Sequence, residues 1–298
     1  PNSTVLVLSG FPCCVQHTPP TETDGPPGTV AIARAVAACG HQAVIVTEDC
    51  NEAVFAAAMA DVTGSVRLEC FPGTATIVSE ADQRVYDDDK DTQQRFYDLV
   101  RQCGMIIACE RAGPAKDGKC YTMRGIDMTE RKLIAPLDQL VAAMRSQDAA
   151  SATKPKRLFV AIGDGGNELG MGKVIDAVVA SPKIAHGDKI GCVVAADHLI
   201  AASVSNWGGY ALAACIALQQ VNSSSTEQQQ FGAIQGWIER CLPTDANEIA
   251  LLDRCVAKGC RDGASGQLEA TVDGMPLERS LQCLRDIRKI SLSVSETK

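Results

Sequence analysis

Aromatic side chains are scarce in this chain of 298 residues, at 4%. A surface that stacks successive bases on rings is therefore excluded. Basic residues are not in excess: the net charge is −8, and the lysines and arginines are scattered, so no nucleic-acid partner is expected. No segment reaches the ~18 apolar residues of a membrane span, and no membrane partner is expected. The opening PNSTVLVLSG enters a strand at once, with neither a basic n-region nor the shape of a cleavable signal. The chain has no Walker A loop and no G-x-S-x-G elbow. Its four histidines, His17, His41, His186 and His198, form no HxxxH pair.

Cysteine, by contrast, is abundant, with fourteen residues from Cys13 to Cys283, yet none forms a CxxC pair. Cys13 and Cys14 are adjacent, a poor geometry for an ordinary bridge or a zinc knuckle. Several others sit in apolar runs, as Cys103, Cys109, Cys192 and Cys215 do. They read as small buried hydrophobes in a reducing intracellular compartment, the cytoplasm or the mitochondrial matrix.

Apolar residues make up 46% of the chain, enough for a substantial core rich in alanine and valine. Buried strands are predicted at Val5–Leu8, Ala43–Val46, Val66–Cys70, Thr74–Val78, Met105–Cys109, Leu158–Ile162 and Ile190–Ala195, with a short one at Leu268–Val272. Helices are predicted over Thr29–Cys39, Asn51–Met59, Thr92–Cys103, Glu130–Arg145, Tyr210–Gln220, Phe231–Cys241, Asn247–Lys258 and Leu277–Ile290. The stretch 222–230 is polar and of low complexity and reads as an exposed insertion. Alternating strands and helices imply an α/β fold: a largely parallel, doubly wound sheet with helices on both faces, plus a small α+β C-terminal part. We expect one domain over 1–298, with sub-lobes 1–150 and 151–298 as a subdivision.

The most informative segment is GDGGNELGMG, Gly163 to Gly172, directly after the run Leu158–Ile162. Glycines let the backbone turn tightly and approach a ligand. Asp164, Asn167 and Glu168 supply the hard oxygen donors that Mg²⁺ or Mn²⁺ prefers. Gly163 and Gly165 fit the first two glycines of a dinucleotide fingerprint, but Glu168 stands where its third is required. Asp49, Glu110 and Asp164 all fall just past strand carboxyl ends, where such sheets gather their sites. Upstream, Glu22-Thr-Asp24-Gly-Pro-Pro-Gly28 precedes a helix whose free N–H groups favour an anion, with Gly28 and Thr29 at its start. Glu22 and Asp24 are placed to hold a metal facing it. Arg111 and Arg124 offer forked donors for a carboxylate or phosphate. Trp207 reads as a pocket wall and Asn206 as an orienting amide. Asp262-Gly263 and Asp273-Gly274 are either hairpin turns or late-arriving site acids, and the turn reading is favoured.

Eight segments recur together in one order: SGFP around Gly10, ETDGPPG, Glu110-Arg111, YTMRG, APLD at Ala135–Asp138, IGDGGNELGMG, SNWGGYALAA and DGASGQLEATVDGMPLE. Over about Val5 to Ile290 the chain resembles the D-glutamate cyclase-like carboxy-terminal domain family. The resemblance implies conversion of D-glutamate to 5-oxo-D-proline with loss of water, by an enzyme acting on a small anionic metabolite. Vertebrate mitochondrial members carry a further upstream domain related to hydro-lyases, which these residues do not include.

Cyclisation needs the amine to lose a proton and attack a neutralised γ-carboxylate. Arg111, Arg124 or a divalent cation held by Glu22, Asp164, Asn167 and Glu168 would neutralise it. Glu110 or Asp24 would act as general base and then as acid. A divalent-metal phosphatase would use nearly the same parts, and a non-catalytic metabolite-binding module is a third reading. Homo-oligomers stay open.

Overall fold

The computed structural model describes residues 3–74, 86, 89–151, 153, 155–221 and 227–293. Six strands form one parallel sheet: β1 (Thr4–Gly10), β2 (Gln42–Glu48), β3 (Val66–Phe71), β4 (Cys103–Arg111), β5 (Leu158–Gly163) and β6 (His198–Ala201). Their order is β3-β2-β1-β4-β5-β6, and every neighbouring pair is parallel. The helices are α1 (Pro26–Ala38), α2 (Glu52–Ala58), α3 (Lys90–Gln102), α4 (Asp138–Ala149), α5 (Ile175–Ala180), α6 (Gly187–Ile190), α7 (Ser205–Gln219), α8 (Glu227–Cys241), α9 (Asp245–Ala257) and α10 (Leu277–Ser293).

The near-continuous apolar strands are buried on both faces, as parallel strands must be. Leu6, Leu8, Val44, Val46, Ile106 and Phe159 face one way, against α3 and α4 through Phe96, Leu99, Leu140 and Met144. Val5, Val7, Ala43, Ile45, Ile107 and Ile162 face the other, against α1, α2 and α9 through Ile32, Phe55 and Leu251. The period-2 alternation thus sorts each strand between two helical layers. A third cluster, built on Tyr210, Ala213, Ile238 and Leu284, binds α7, α8 and α10 to the outside of α1. The result is the α/β, doubly wound arrangement.

Local signals set the helix ends. α1 opens on Pro26 and Pro27, whose missing N–H groups cost nothing in a first turn. Asp89 caps α3 by accepting from Thr92 N at 3.1 Å. Thr244 and Asn247 form a reciprocal capping box on α9.

Three expectations need correcting. The run Ile190–Ala195 is not a strand: α6 ends at Ile190, and the chain then crosses the sheet end through single contacts such as Cys192 N to Gly166 O, at 3.0 Å. The sixth strand is His198–Ala201 instead. A short apolar run bounded by glycine does not reveal whether it enters the sheet or covers its end. The helix expected from Glu130 begins only at Asp138, because Pro136 has no N–H and biases the residue before it away from helix. The segment Leu268–Val272 forms no strand; Val272 makes one isolated bridge to Met275 around the Asp273-Gly274 turn. The strand expected at Thr74–Val78 lies outside the described residues beyond Thr74, and so does the polar stretch over 222–226.

Candidate functional site

The strand order reverses direction between β1 and β4, and this switch point opens a crevice at their carboxyl ends. Three carboxylates meet there. Asp24 comes from the loop after β1, Glu110 from the end of β4, and Asp164 from the glycine turn after β5. One oxygen of each lies within 4.8 Å of the others. Glu22, Glu168 and Asp273 line the same cleft.

Backbone detail explains how the acids are aimed. Glu110 sits at φ 44, a left-handed conformation rare for a strand residue and strained. It lets the chain turn while the side chain stays over the sheet edge. Gly25 packs against it; a Cβ there would come within 3.1 Å of Glu110 Cβ. Asp24 Oδ1 accepts from Gly25 N at 2.9 Å and from Asn206 N at 2.7 Å, and Oδ2 accepts from Ser205 N at 2.7 Å. Its carboxylate therefore sits on the N-terminus of α7, where the helix dipole favours an anion.

The cluster has little counter-charge. Arg124 is the only cationic residue lining the cleft among the described residues. Burial, then the charges of Asp24, Glu168 and Asp273, push the Asp164 carboxyl up to about 12. Burial and Asp164 raise Glu110 well above the usual range. Burial and Asp273 do the same for Asp24 and Glu22, and burial raises Asp273. Glu110 Oε2 and Asp273 Oδ2 are buried without a hydrogen-bond partner. Converging, desolvated carboxylates with unused lone pairs are what a hard cation takes. Asp24, Glu110 and Asp164 could hold a metal ion.

The remaining sequence-predicted residues fall into different settings. Glu168 folds back onto its own turn: Oε1 accepts from Gly165 N at 2.6 Å and from Asp164 N at 3.3 Å, and Oε2 accepts from Gly166 N at 2.7 Å. It holds the glycine loop in shape. Asn167 Nδ2 donates to Tyr121 O at 2.7 Å, tying that loop to the YTMRG segment. Arg124 stands at the rim, with Nη2 donating to Ala264 O at 2.9 Å. Arg111 is buried and engaged elsewhere: it pairs with Glu48 and donates to Gly10 O at 3.1 Å and Ala135 O at 2.7 Å. Asp49 stays exposed outside the cluster.

At the start of α1 the N–H groups are already taken. Asn206 Oδ1 accepts from Gly28 N at 2.8 Å and from Gly25 N at 3.0 Å, while Thr29 N bonds Gly25 O. Gly28 is small because α7 crosses it; a Cβ there would lie 2.8 Å from Asn206 Cα. Trp207 donates from Nε1 to Ser280 Oγ at 3.0 Å, against α10.

Asp273 was missed. The Asp-Gly turn reading holds for Asp262, whose carboxylate accepts from Ala264 N, Ser265 N and Gly274 N. Asp273 instead lines the acid cleft, its carboxyl raised by burial, from a φ of 52. Both Asp-Gly pairs are open to either reading in the sequence, and the favoured turn reading fits Asp262 but not Asp273.

The cleft encloses about 220 Å³. Drug-sized sites run roughly 300–1,000 Å³, so this one suits a small metabolite. A larger cavity of about 740 Å³ lies between the Pro114–Gly118 loop and α4, away from the acids. It holds no comparable cluster of carboxylates among the described residues, so the smaller cleft is the candidate site.

The family model for D-glutamate cyclase-like, C-terminal proteins matches residues 1–288. This chain belongs to that family. Human D-glutamate cyclase, mitochondrial, is 33% identical over 287 residues, 93% of this chain and 44% of the human protein. The chain thus spans less than half the length of that curated relative. Among solved structures, a Serratia marcescens short-chain dehydrogenase/reductase double mutant aligns at TM-score 0.31 and 16% identity, over 73% of this chain and 68% of that one. A Pseudomonas aeruginosa RhlG/NADP active-site complex aligns at 0.30 and 14%, over 98% and 89%. Neither carries an argument about this chain. No helix among the described residues is long and apolar enough to cross a membrane.

Proposed function

We propose that the acid cleft converts D-glutamate to 5-oxo-D-proline with loss of water, assisted by a divalent cation, Mg²⁺ or Mn²⁺. The observation that carries the reading is the convergence of Asp24, Glu110 and Asp164 at the sheet's switch point in a member of this family. The human relative's name calls that protein mitochondrial, and the mitochondrial matrix is the proposed compartment for this chain.

The cleft's charge suits an amino acid. Acids at its floor attract the substrate ammonium, and Arg124 at the rim offers a fork for a carboxylate. When bound, a divalent cation supplies polarisation of the γ-carboxylate and offsets the repulsion among the acids. The free oxygen of Glu110 accepts a proton from the ammonium. The amine then attacks the γ-carbon, a C–N bond forms, and one C–O bond breaks. Two protons leave nitrogen and two arrive on the departing oxygen, which leaves as water. A protonated carboxyl of the cluster that is not holding the cation would return a proton to that oxygen. Phosphatase chemistry gains no support: a phosphate dianion would meet mostly carboxylates here.

The test is direct. Purified chain is incubated with D-glutamate or L-glutamate, with Mn²⁺ or with chelator, and 5-oxoproline is resolved by chiral chromatography. Product from D-glutamate that depends on metal is expected. No product from either enantiomer under any metal condition overturns the assignment.

A further inference from the structure

Two groups that face the cleft hang from one buried carboxylate behind it. Asp262 is wholly buried. Its Oδ1 accepts from Ala264 N at 2.9 Å and from Ser265 N at 2.7 Å, and its Oδ2 accepts from Gly274 N at 2.8 Å. Burial pushes this carboxyl up, but the N–H groups of Ser265, Gly274 and Ala264 outweigh burial and hold it below its usual range. At neutral pH it is an anion to which both turns stay attached.

Each of these bonds fixes a peptide plane whose other end matters. Ser265 N–H and Ala264 C=O belong to one peptide unit, and in a trans unit they point in opposite directions. With the N–H held inward by Asp262, the carbonyl is aimed outward, where Arg124 Nη2 donates to it at 2.9 Å. That bond uses one edge of a five-donor fork and leaves the rest for a ligand. Gly274 N–H and Asp273 C=O likewise share a unit, so the bond to Asp262 Oδ2 sets the backbone of Asp273, at φ 52. Asp273 lines the cleft, with Oδ2 buried and without a partner. The excursion is itself pinned to the site on either side of Glu22: Thr23 N donates to Arg261 O at 2.8 Å, and Arg261 N donates to Thr21 O at 3.1 Å.

We propose that Asp262 is a positioning residue for the cleft: through Ala264 O it sets the Arg124 fork, and through Gly274 N it sets the Asp273 carboxyl group. Asp262 itself touches no substrate. This deepens the cyclase reading and rests on it.

Kinetics with D-glutamate and Mn²⁺, corrected for the folded fraction, separate positioning from stability. Asp262→Ala frees both turns. KM should rise about tenfold, the worth of one hydrogen bond to a charged group. The kcat should fall about 100-fold, the cost of a misplacement of ~1 Å. In an Arg124→Ala background the same change should leave KM where Arg124→Ala alone puts it, and still lower kcat. Asp262→Asn splits the two roles. Its amide oxygen keeps the N–H groups of Ala264 and Ser265, while its amide nitrogen meets Gly274 N–H, donor against donor. KM should hold and kcat should fall. If Asp262→Ala does not fold, Asp262→Asn decides alone. KM and kcat both unchanged per folded molecule, in either variant, overturn the proposal. So does a KM rise of the same size with and without Arg124. Trypsin at the exposed Arg124–Gly125 bond reads the tether without turnover. Asp262→Ala should be cut there faster than wild type, and Asp262→Asn at the wild-type rate. A wild-type chain that makes no 5-oxoproline sinks the cyclase reading. The cut then decides the positioning role, and equal rates in wild type and Asp262→Ala overturn it.

Discussion

Adding Mn²⁺ to the metal-free chain should raise its melting temperature, and Asp164→Asn should remove most of that rise. A ligand that binds only the folded state, at 100 times its dissociation constant, stabilises by about 2.7 kcal/mol. At ~2.1 cal/mol/K per residue, 298 residues carry an unfolding entropy of about 0.6 kcal/mol/K. The expected shift is therefore about 4 °C. The sign with pH is also fixed. The Asp164 carboxyl is raised from 3.8 to about 12, first by burial and then by Asp24, Glu168 and Asp273. An acid with a raised folded value contributes stability that is fully present below its unfolded value and is lost as pH rises toward the folded one. Between pH 5 and 8 the metal-free chain should lose stability steadily, whereas the Mn²⁺-loaded chain should vary much less. Asp164→Asn, with one fewer carboxyl to keep neutral, should flatten the metal-free profile. Scanning fluorimetry over this grid is the assay. A metal-free melting temperature that rises from pH 5 to 8, or an unchanged Mn²⁺ shift in Asp164→Asn, refutes the account of the cluster.

Arg111→Ala should act on stability rather than chemistry, since it leaves Glu48 buried without its cation; losses of this kind run about 3–5 kcal/mol, and urea melts showing under 1 kcal/mol would contradict the structural role. Gly170→Ala should destabilise by about 2 kcal/mol or more, because its φ is +109 and a Cβ would stand 2.1 Å from Ala161 Cβ. A neutral outcome in the same melts would show that the glycine loop can shift. Arg124→Lys keeps the charge but loses the fork, so KM for D-glutamate should rise while the melting temperature holds. An unchanged KM removes Arg124 from substrate binding.

What the sequence made legible follows physical range. Strands such as Val5–Leu8 and Leu158–Ile162 announce themselves because a strand buried on both faces needs an unbroken apolar run. The glycine turn after β5 was equally legible, because Gly166, at φ +103, and Gly170 occupy conformations that other residues adopt at a cost. The metal reading centred on the Asp164 loop together with Glu22; the carboxylates that converge are Asp24, Glu110 and Asp164. Glu168 accepts from the N–H groups of its own turn, as a polar side chain close to its backbone does, whereas Asn167 ties the turn to Tyr121 O, 46 residues away. Asp24 and Asp273 are separated by most of the chain and meet Asp164 only through the fold. Arg111 follows Glu110 by one residue, and successive side chains of β4 diverge; adjacency in sequence placed them together, whereas the pleat sends Arg111 to Glu48.

The strand order is the one on which many proteins bind a dinucleotide, and the difference in site chemistry can be traced to single groups. In those proteins the pyrophosphate rests on the N–H groups opening the first helix. Here Pro26 and Pro27 have no N–H to offer, and Asn206 Oδ1 occupies those of Gly25 and Gly28. The N-terminus of α7 is likewise covered, by the Asp24 carboxylate. Both positive helix ends facing the crevice are thus closed by the protein's own oxygens. What remains toward the ligand is Glu110, Asp164, Asp273 and the outer side of Asp24. The same topology that elsewhere presents an anion site gathers carboxylates here that could hold a cation. On the proposed reading a ligand for this crevice brings positive charge, as an ammonium group or as a metal ion, and an amino acid cyclised through its own amine would bring the first.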